Sequence, residues 1–418
     1  MSAELDAIRK AIDETDRSMA GLFRQRLALG LEAARCKQAA GLPLYDAARE
    51  ATVLQRNVQH LGSEEIKPYY EDFLREVMRL TRAYEYGRQE DAETVVKRGA
   101  LSHLAEYISL DRRVMLVSDS GVPEMYRKTV LDQCPHACSF VFEPGESHKT
   151  LSTVEALWAD MTARGFTRSD LVIALGGGVV GDLAGFAAAC YQRGVAFCNL
   201  PTTLLAQVDA CVGGKTGIDF RGLKNQIGVF RPAEKVIIDT ETLLTLPPRI
   251  FREGVAELLK MGVTLSRPLF EALRDADPVQ LPGAVEPLVA QAIRLKSDIV
   301  KADPFERNLR RVLNFGHTVG HAVEAAAGGR LFHGECVAIG MPLFCSPEVR
   351  AQLLPVLEKY ALPTVCPFDA DTLLPYIAHD KKRADGVLHA VFCGQIGRFD
   401  IQAMSMSEME NFLKNRLS

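Results

Sequence analysis

Leu171-Val172-Ile173-Ala174-Leu175-Gly176-Gly177-Gly178-Val179-Val180-Gly181-Asp182 decides how most of this 418-residue chain is read. Five apolar residues without alternation predict a strand buried on both faces, as in a parallel sheet. Three glycines follow directly. Such a turn lets backbone approach a pyrophosphate, whose charge meets amide donors at the next helix N-terminus. The spacing is not G-x-G-x-x-G, and the alternative is a tight strand-to-helix turn without a ligand.

On either side, the pattern repeats. Arg113-Val114-Met115-Leu116-Val117-Ser118-Asp119 reads as another buried parallel strand, and Pro201-Thr202-Thr203-Leu204-Leu205 ends a further apolar run on two hydroxyls. Val212-Gly213-Gly214-Lys215-Thr216-Gly217 looks like a phosphate loop but lacks the Walker spacing, so it is not read as an ATP site. Beyond about residue 247 the strand signals stop, and helical patterns carrying His and Glu take over. The expectation is an α/β nucleotide-binding domain over 92–246 and a helical domain over 247–418.

Residues 1–88 obey a different period. Leu5, Ile8, Ile12, Met19, Leu22 and Leu29 recur at three- and four-residue steps, sometimes doubled, and predict one long amphipathic helix. Gly41-Leu42-Pro43 breaks it. Further helices are expected over about 46–60 and 64–86, and Gly87-Arg88-Gln89-Glu90-Asp91 reads as the linker. Three helices with short links make no complete core, so the apolar stripe needs a partner to cover it.

Composition excludes several classes. A net charge of −4 gives no basic footprint for nucleic acid, and no run of about 20 apolar residues offers a membrane span. The start, Met1-Ser2-Ala3-Glu4-Leu5-Asp6, is acidic and helical in pattern, unlike a secretory signal. Ten cysteines lie scattered with no Cys-x-x-Cys pair, which suits reduced thiols and a cytoplasmic location.

Three of the nine histidines fall within seventeen residues, in Asn314-Phe315-Gly316-His317-Thr318-Val319-Gly320-His321 and His333-Gly334-Glu335. On a helix His317 and His321 share a face, which suggests two metal ligands. No Glu follows the first His, so this is not the zinc-protease motif. Upstream, Glu253-Gly254-Val255-Ala256-Glu257-Leu258-Leu259-Lys260 offers a carboxylate on another helix. The alternative is that these histidines cap helices or satisfy buried polar groups.

Taken in order from about Val95 to Ile396, these segments resemble the 3-dehydroquinate synthases, members of the wider sugar-phosphate cyclases. Gly145-Glu146-Ser147-His148-Lys149-Thr150, the triple-glycine loop through Phe186, Pro201 to Lys215, Lys224-Asn225, Glu257 to Lys260 and His317 to Glu335 carry the match. The resemblance implies NAD in a cleft between an α/β and a helical domain, and zinc or cobalt held by Glu257, His317 and His333. His321 then becomes a substrate phosphate contact. Asp119, Glu146, Lys149, Gly177, Gly178, Asp182, Thr202, Thr203, Asp209, Lys224 and Thr245 match positions that hold NAD. Arg193, Asp209, Lys215, Lys224, Asn225, Lys260, Lys296, Glu306, Arg310, Asn314 and His321 match the substrate pocket, with a basic residue from Lys381 and Lys382. The usual Ser-Ser before the Val-Gly-Gly turn is Ala210-Cys211 here, and the C-terminal part is slightly trimmed.

The implied substrate is 3-deoxy-D-arabino-heptulosonate 7-phosphate, converted to 3-dehydroquinate and phosphate. Lys and Arg residues are needed to clamp a carboxylate and a phosphate in one geometry. NAD is regenerated within each turnover and serves as a cofactor. An amino analogue or sedoheptulose 7-phosphate is the rival substrate.

In the N-terminal segment, Arg9, Arg26 and Lys37 are cations on the helix that carries the apolar stripe. Arg26 and Lys37 are three turns and about 16 Å apart along the axis, and together suit a small dianion. Arg9 lies about 25 Å from Arg26 and would serve a site formed largely by another protomer. Residues 5–86 resemble the all-helical chorismate mutases through Leu5 to Asp13, Gln25-Arg26, Lys37, Leu42-Pro43-Leu44-Tyr45-Asp46 and Arg49-Glu50. That resemblance implies an intertwined homodimer of three-helix domains converting chorismate to prephenate, with Arg9, Arg26, Lys37, Asp46, Arg49, Glu50, Thr81 and Glu85 at the site. Where these mutases carry Ser-x-x-x-Gln, this chain has Thr81-Arg82-Ala83-Tyr84-Glu85. The rival reading makes the segment a binding module through which chorismate or prephenate regulates the synthase.

Overall fold

The two buried runs become adjacent strands. A computed structural model describes residues 3–39, 47–86, 93–303, 306, 308–383 and 388–417. The strands are β1 (Glu93–Val96), β2 (Val114–Asp119), β3 (Ala137–Phe142), β4 (Leu171–Gly176), β5 (Ala196–Pro201), β6 (Lys215–Phe220), β7 (Leu223–Phe230), β8 (Lys235–Ile238), β9 (Leu388–Gln395) and β10 (Arg398–Met404). Among the described residues six of them form one parallel sheet in the order β1-β8-β5-β4-β2-β3. Along β2 the side chains alternate between two cores: Met115 and Val117 on one face, Val114 and Leu116 on the other. Both faces are dry, which is why the sequence shows no polar alternation there.

From β2 the chain moves outward to β3, and from β4 it moves the other way through β5 to β8, beside which the first strand, β1, lies. Strand order therefore reverses between β2 and β4. In open α/β sheets, ligands sit outside the carboxyl ends of strands at such a reversal. Asp119 ends β2 and Gly176 to Gly178 follow β4, so both stand at that point.

The helical part packs around a core to which Leu204, Val208 and Val236 of the α/β part also contribute. Helices Pro248–Leu265, Arg267–Asp275, Glu286–Ala302, His317–Ala327, His333–Gly340 and Pro347–Lys359 surround Val255, Leu259, Phe315, Val319 and Val337, all fully buried. The expectation that strands cease after residue 247 is corrected here. β9 and β10 form an antiparallel hairpin, with Gly397 at φ 84° in its turn. The mixed burial along β9 hid it: Ala390, Val391 and Cys393 are all buried, so the run lacks a period of two. A second hairpin joins β6 to β7 through Arg221 and Gly222, both at positive φ. The phosphate-like glycines Gly213 and Gly214 lead into this hairpin and not into a helix.

Contacts divide the chain into two compact units, one of residues 1–90 with 301–305 and the other of the remainder. In the first, helices Ala3–Ala39 and Ala47–Gln59 each pack on helix Lys67–Tyr86. Pro68 falls in the first turn of that third helix, where its missing N–H costs nothing. Ala34, Val77 and Met78 are buried, but Leu5, Ile8, Ile12, Met19, Leu22 and Leu29 are all exposed. The amphipathic stripe thus exists and stays uncovered in the single chain. No helix among the described residues is long and apolar enough to cross a membrane.

Candidate active site and metal centre

Helix Pro248–Leu265 carries Glu257 and Lys260 one turn apart, both with essentially no solvent exposure. The Lys260 ammonium touches Glu257 Oε2. Even so, neither carboxylate oxygen accepts a hydrogen bond of acceptable geometry from the described residues. A buried carboxylate is costly unless it is paired; Lys260 compensates Oε2, and the Oε1 side is left to other groups.

That side faces two imidazoles. His317 Nε2 lies 3.6 Å and His333 Nε2 3.8 Å from Glu257 Oε1, and the three ligand atoms all fall within 4.8 Å of one another. Bond lengths of about 2.0–2.2 Å to a tetrahedral zinc imply ligand separations of about 3.4 Å, close to the two measured from Glu257 Oε1. The outer nitrogens fix the tautomers. His317 Nδ1 is 3.1 Å from the Phe315 carbonyl and His333 Nδ1 is 3.3 Å from Glu324 Oε2, and these oxygens can only accept while Glu324 is ionised. Both Nδ1 atoms therefore donate, and Nε2 of each ring is the atom that faces the Glu257 carboxylate.

The electrostatics agree for His317. Burial, reinforced by Lys260, His321 and His333, pushes its pKa well below the ordinary imidazole value, so the ring is neutral. His333 is different: burial pushes it down, but Glu324 and Glu257 outweigh that and raise it. Glu324 itself is held down to about 2, because His333 and Lys224 overcome its burial. His321, on the same helix, sets its ring edge-on to His317 with centroids 5.2 Å apart. It is exposed and not part of the Glu257 trio.

Asp209 approaches from the α/β side. It sits in a π-helical turn, Ala206–Ala210, which re-aims a side chain relative to an α-helix. Lys296 Nζ donates to its Oδ1 at 2.6 Å. Burial alone would raise the Asp209 carboxyl, but Lys296 and Lys260 hold it well below the usual range. Arg310 is buried, and the Gly213 turn at φ 101° makes room for it: a Cβ there would lie 2.9 Å from Arg310 Nη2. Lys215 donates to Glu306 at 2.9 Å, and Asn314 to the other oxygen of Glu306 at 2.6 Å.

At the glycine loop, Gly177 faces Thr203, with only 3.2 Å between its would-be Cβ and the threonine methyl. Asp182, one turn into the following helix, accepts from buried Lys149, which also donates to Asn225. Burial raises Asp182 despite Lys149. Glu146 lies 4.0 Å from Lys149. Asp119 accepts from the Gly121 amide at 2.8 Å, and Thr245 meets the Tyr126 hydroxyl at 3.1 Å. Thr202 is buried beside the end of β4, where its amide donates to Gly176. Gln192, Arg193, Asn225 and Glu306 all adopt left-handed backbone, a cost that clusters at functional sites.

Arg193 is exposed and, among the described residues, its side chain makes no hydrogen bond or ion pair. The side chains of Lys381 and Lys382 lie outside the described residues. In the first unit, Arg26 donates to the hydroxyl of buried Thr81, which in turn donates to the Val77 carbonyl, tying the first helix to the third. Arg9 lies 3.6 Å from Asp6. Lys37 and Glu50 are half-buried and Arg49 is exposed. Asp46 and the Glu85 side chain lie outside the described residues.

Sequence reasoning missed Glu324 and Glu253. Glu324 follows His317 by seven residues and His321 by three, a same-face spacing that was legible. Glu253, whose carboxyl burial pushes up to about 7 beside the His333-Gly334 turn, gave no signal.

Residues 139–253 match the model of the 3-dehydroquinate synthase N-terminal region, and 254–383 that of its C-terminal region. A 3-dehydroquinate synthase of Lactococcus lactis subsp. cremoris is 37% identical over 343 residues, covering 77% of this chain and 96% of the relative. The chain belongs to the 3-dehydroquinate synthase family. The synthase of Symbiobacterium thermophilum is 41% identical over 303 residues, covering 67% of this chain and 84% of the relative. Residues 8–86 match chorismate mutase type II. The chain thus fuses a chorismate mutase domain to a 3-dehydroquinate synthase, pairing an isomerase with a carbon–oxygen lyase of the shikimate route.

Among solved structures, the fold is similar to a 2-epi-5-epi-valiolone synthase from Streptomyces hygroscopicus subsp. jinggangensis with NAD+ and Zn2+ bound. The TM-score is 0.72 and the identity 29%, over 78% of this chain and 97% of that one. A 2-deoxy-scyllo-inosose synthase complexed with carbaglucose-6-phosphate, NAD+ and Co2+ aligns with a TM-score of 0.71 at 27% identity, over 78% and 96%.

Proposed function

We propose that the synthase part converts 3-deoxy-D-arabino-heptulosonate 7-phosphate to 3-dehydroquinate and phosphate, using NAD and a zinc or cobalt ion at Glu257, His317 and His333. The observation that carries this reading is the trio itself: a buried carboxylate whose Oε1 is faced by the Nε2 atoms of two imidazoles, with the three ligand atoms within 4.8 Å of one another. Neighbours of the same fold hold NAD+ with Zn2+ or Co2+, and the curated relatives are 3-dehydroquinate synthases. When bound, NAD would take and return a substrate hydride, and the metal would polarise the carbonyl formed between those events.

The chain's own residues bind and orient. Lys296 and Arg310, both buried, pair with the substrate carboxylate, and His321 stands beside its phosphate. Lys215, Lys224, Lys260, Asn225, Asn314, Glu306 and Asp209 fix the remaining oxygens in one geometry. Asp119, Glu146, Lys149, Gly177, Gly178, Asp182, Thr202, Thr203 and Thr245, near the carboxyl ends of the sheet strands, hold the dinucleotide. Phosphate release and product identification with the heptulosonate, its amino analogue and sedoheptulose 7-phosphate test the assignment. A preference for the last, which has no carboxylate, refutes it. Dialysis against a chelator should abolish release, and zinc or cobalt should restore it.

The N-terminal domain rearranges chorismate to prephenate between cations that fix two carboxylates, Arg26 and Lys37 among them. It does so as a homodimer, in which the exposed stripe from Leu5 to Leu29 is covered by a second copy. A glutamate at position 85 favours, as a second reading, a module that binds chorismate without turning it over. Prephenate formation by the full chain separates the two, as does inhibition of phosphate release by chorismate.

A further inference from the structure

We propose that Glu324 is the positioning residue that joins the metal centre to the nucleotide side of the cleft, holding His333 in its ligating tautomer with one oxygen and Lys224 in place with the other. The inference rests on the metal reading above. Glu324 lies on helix His317–Ala327, two turns after His317, with a side chain only 18% exposed. Oε2 lies 3.3 Å from His333 Nδ1, on a different helix, and Oε1 lies 2.7 Å from Lys224 Nζ, on β7.

Each oxygen has one task. An ionised carboxylate has no proton to give, so His333 Nδ1 must donate to Oε2, and Nε2, the atom left to ligate, faces Glu257 3.8 Å away. Without that acceptor, the ring gains the opposite tautomer and freedom to rotate, and both weaken it as a ligand. Oε1 pins a lysine whose stem is otherwise half exposed on a hairpin with solvent on one face. The next residue, Asn225, accepts from Lys149, which holds Asp182 at the start of the glycine-loop helix. One polar chain therefore runs from Asp182 through Lys149, Asn225, Lys224, Glu324 and His333 to Glu257. Glu324 is its joint: it is the member that meets both the hairpin and a residue of the Glu257 trio.

The test uses the full chain stripped of metal, with zinc affinity read by competition with a chromophoric chelator. Glu324→Ala should weaken zinc roughly 10–100-fold, the usual effect of losing such a partner. Glu324→Gln still presents a carbonyl oxygen to Nδ1–H and should bind zinc almost as the wild type does. Its neutral amide cannot hold the Lys224 ammonium, so KM for the phosphosugar should rise severalfold in the zinc-loaded protein. A residue that merely supports the fold would give no such separation. Unchanged zinc affinity in Glu324→Ala overturns the inference, as does Glu324→Gln binding zinc as poorly as Glu324→Ala. An unchanged KM in Glu324→Gln removes the Lys224 half. Failure of the wild type to bind zinc would instead sink the metal reading, and this inference with it.

Discussion

Lys260→Met, studied in metal-free protein, isolates the most exposed assumption about the metal centre. Lys260 and Glu257 are both buried within one helix, and Lys260 is the ammonium in contact with that carboxylate. Methionine keeps most of the side-chain volume, so packing changes little while the charge disappears. Removing one partner of a buried pair leaves an uncompensated charge and costs about 3–5 kcal/mol. Removing both, in Glu257→Gln/Lys260→Met, should cost less than Lys260→Met alone, because paired charges replaced together are often neutral in effect. The assay is guanidinium unfolding followed by fluorescence. Trp158 is the chain's sole tryptophan, and its indole donates to the Ala187 carbonyl at 2.9 Å, so the signal reports on the synthase unit. Zinc supplies the missing positive charge to Glu257. At about 100 times its Kd it should stabilise the wild type by about 2.7 kcal/mol, and the gap between wild type and Lys260→Met should narrow. Metal-free Lys260→Met as stable as wild type, within about 0.5 kcal/mol, would refute the reasoning. So would a gap that zinc leaves unchanged.

Three further outcomes follow from the same geometry. Arg310→Ala should cripple turnover of the carboxylate-bearing sugar, since losing one side of a desolvated pair costs about 3–5 kcal/mol, and steady-state kcat/KM would show it. His321→Ala should keep its zinc, by metal analysis of the purified protein, while losing phosphate release. For the mutase, a carboxylate at Glu85 cannot donate to the ether oxygen of chorismate, whereas the protonated acid can. Prephenate formation should be highest in mildly acidic solution and fall as Glu85 ionises. Glu85→Gln should keep activity and flatten that decline, and identical pH–rate curves for the two proteins would discard the idea.

The sequence by itself determined what depends on near neighbours. Leu171 to Leu175 read as a doubly buried strand, because nothing polar alternates within it, and the glycines that follow marked a turn into a helix. Leu5 to Leu29 specified a long helix through its period, and Gly41-Leu42-Pro43 marked its break. The order of motifs fixed the family and drew attention to Glu257, His317 and His333 before any geometry was available. Tertiary structure decided what depends on distant segments meeting. Sixty residues separate Glu257 from His317, and only packing of their helices brings the imidazole Nε2 to 3.6 Å from the buried carboxylate. Glu324 carries a readable spacing, but its bonds to His333 and Lys224 come from a second helix and a hairpin that no local pattern announced. The hairpins escaped because their strands are buried unevenly or lie on the surface, where the period of two is weak. The helical stripe was legible as apolar, but its exposure was not, since burial belongs to the whole assembly and periodicity to one helix.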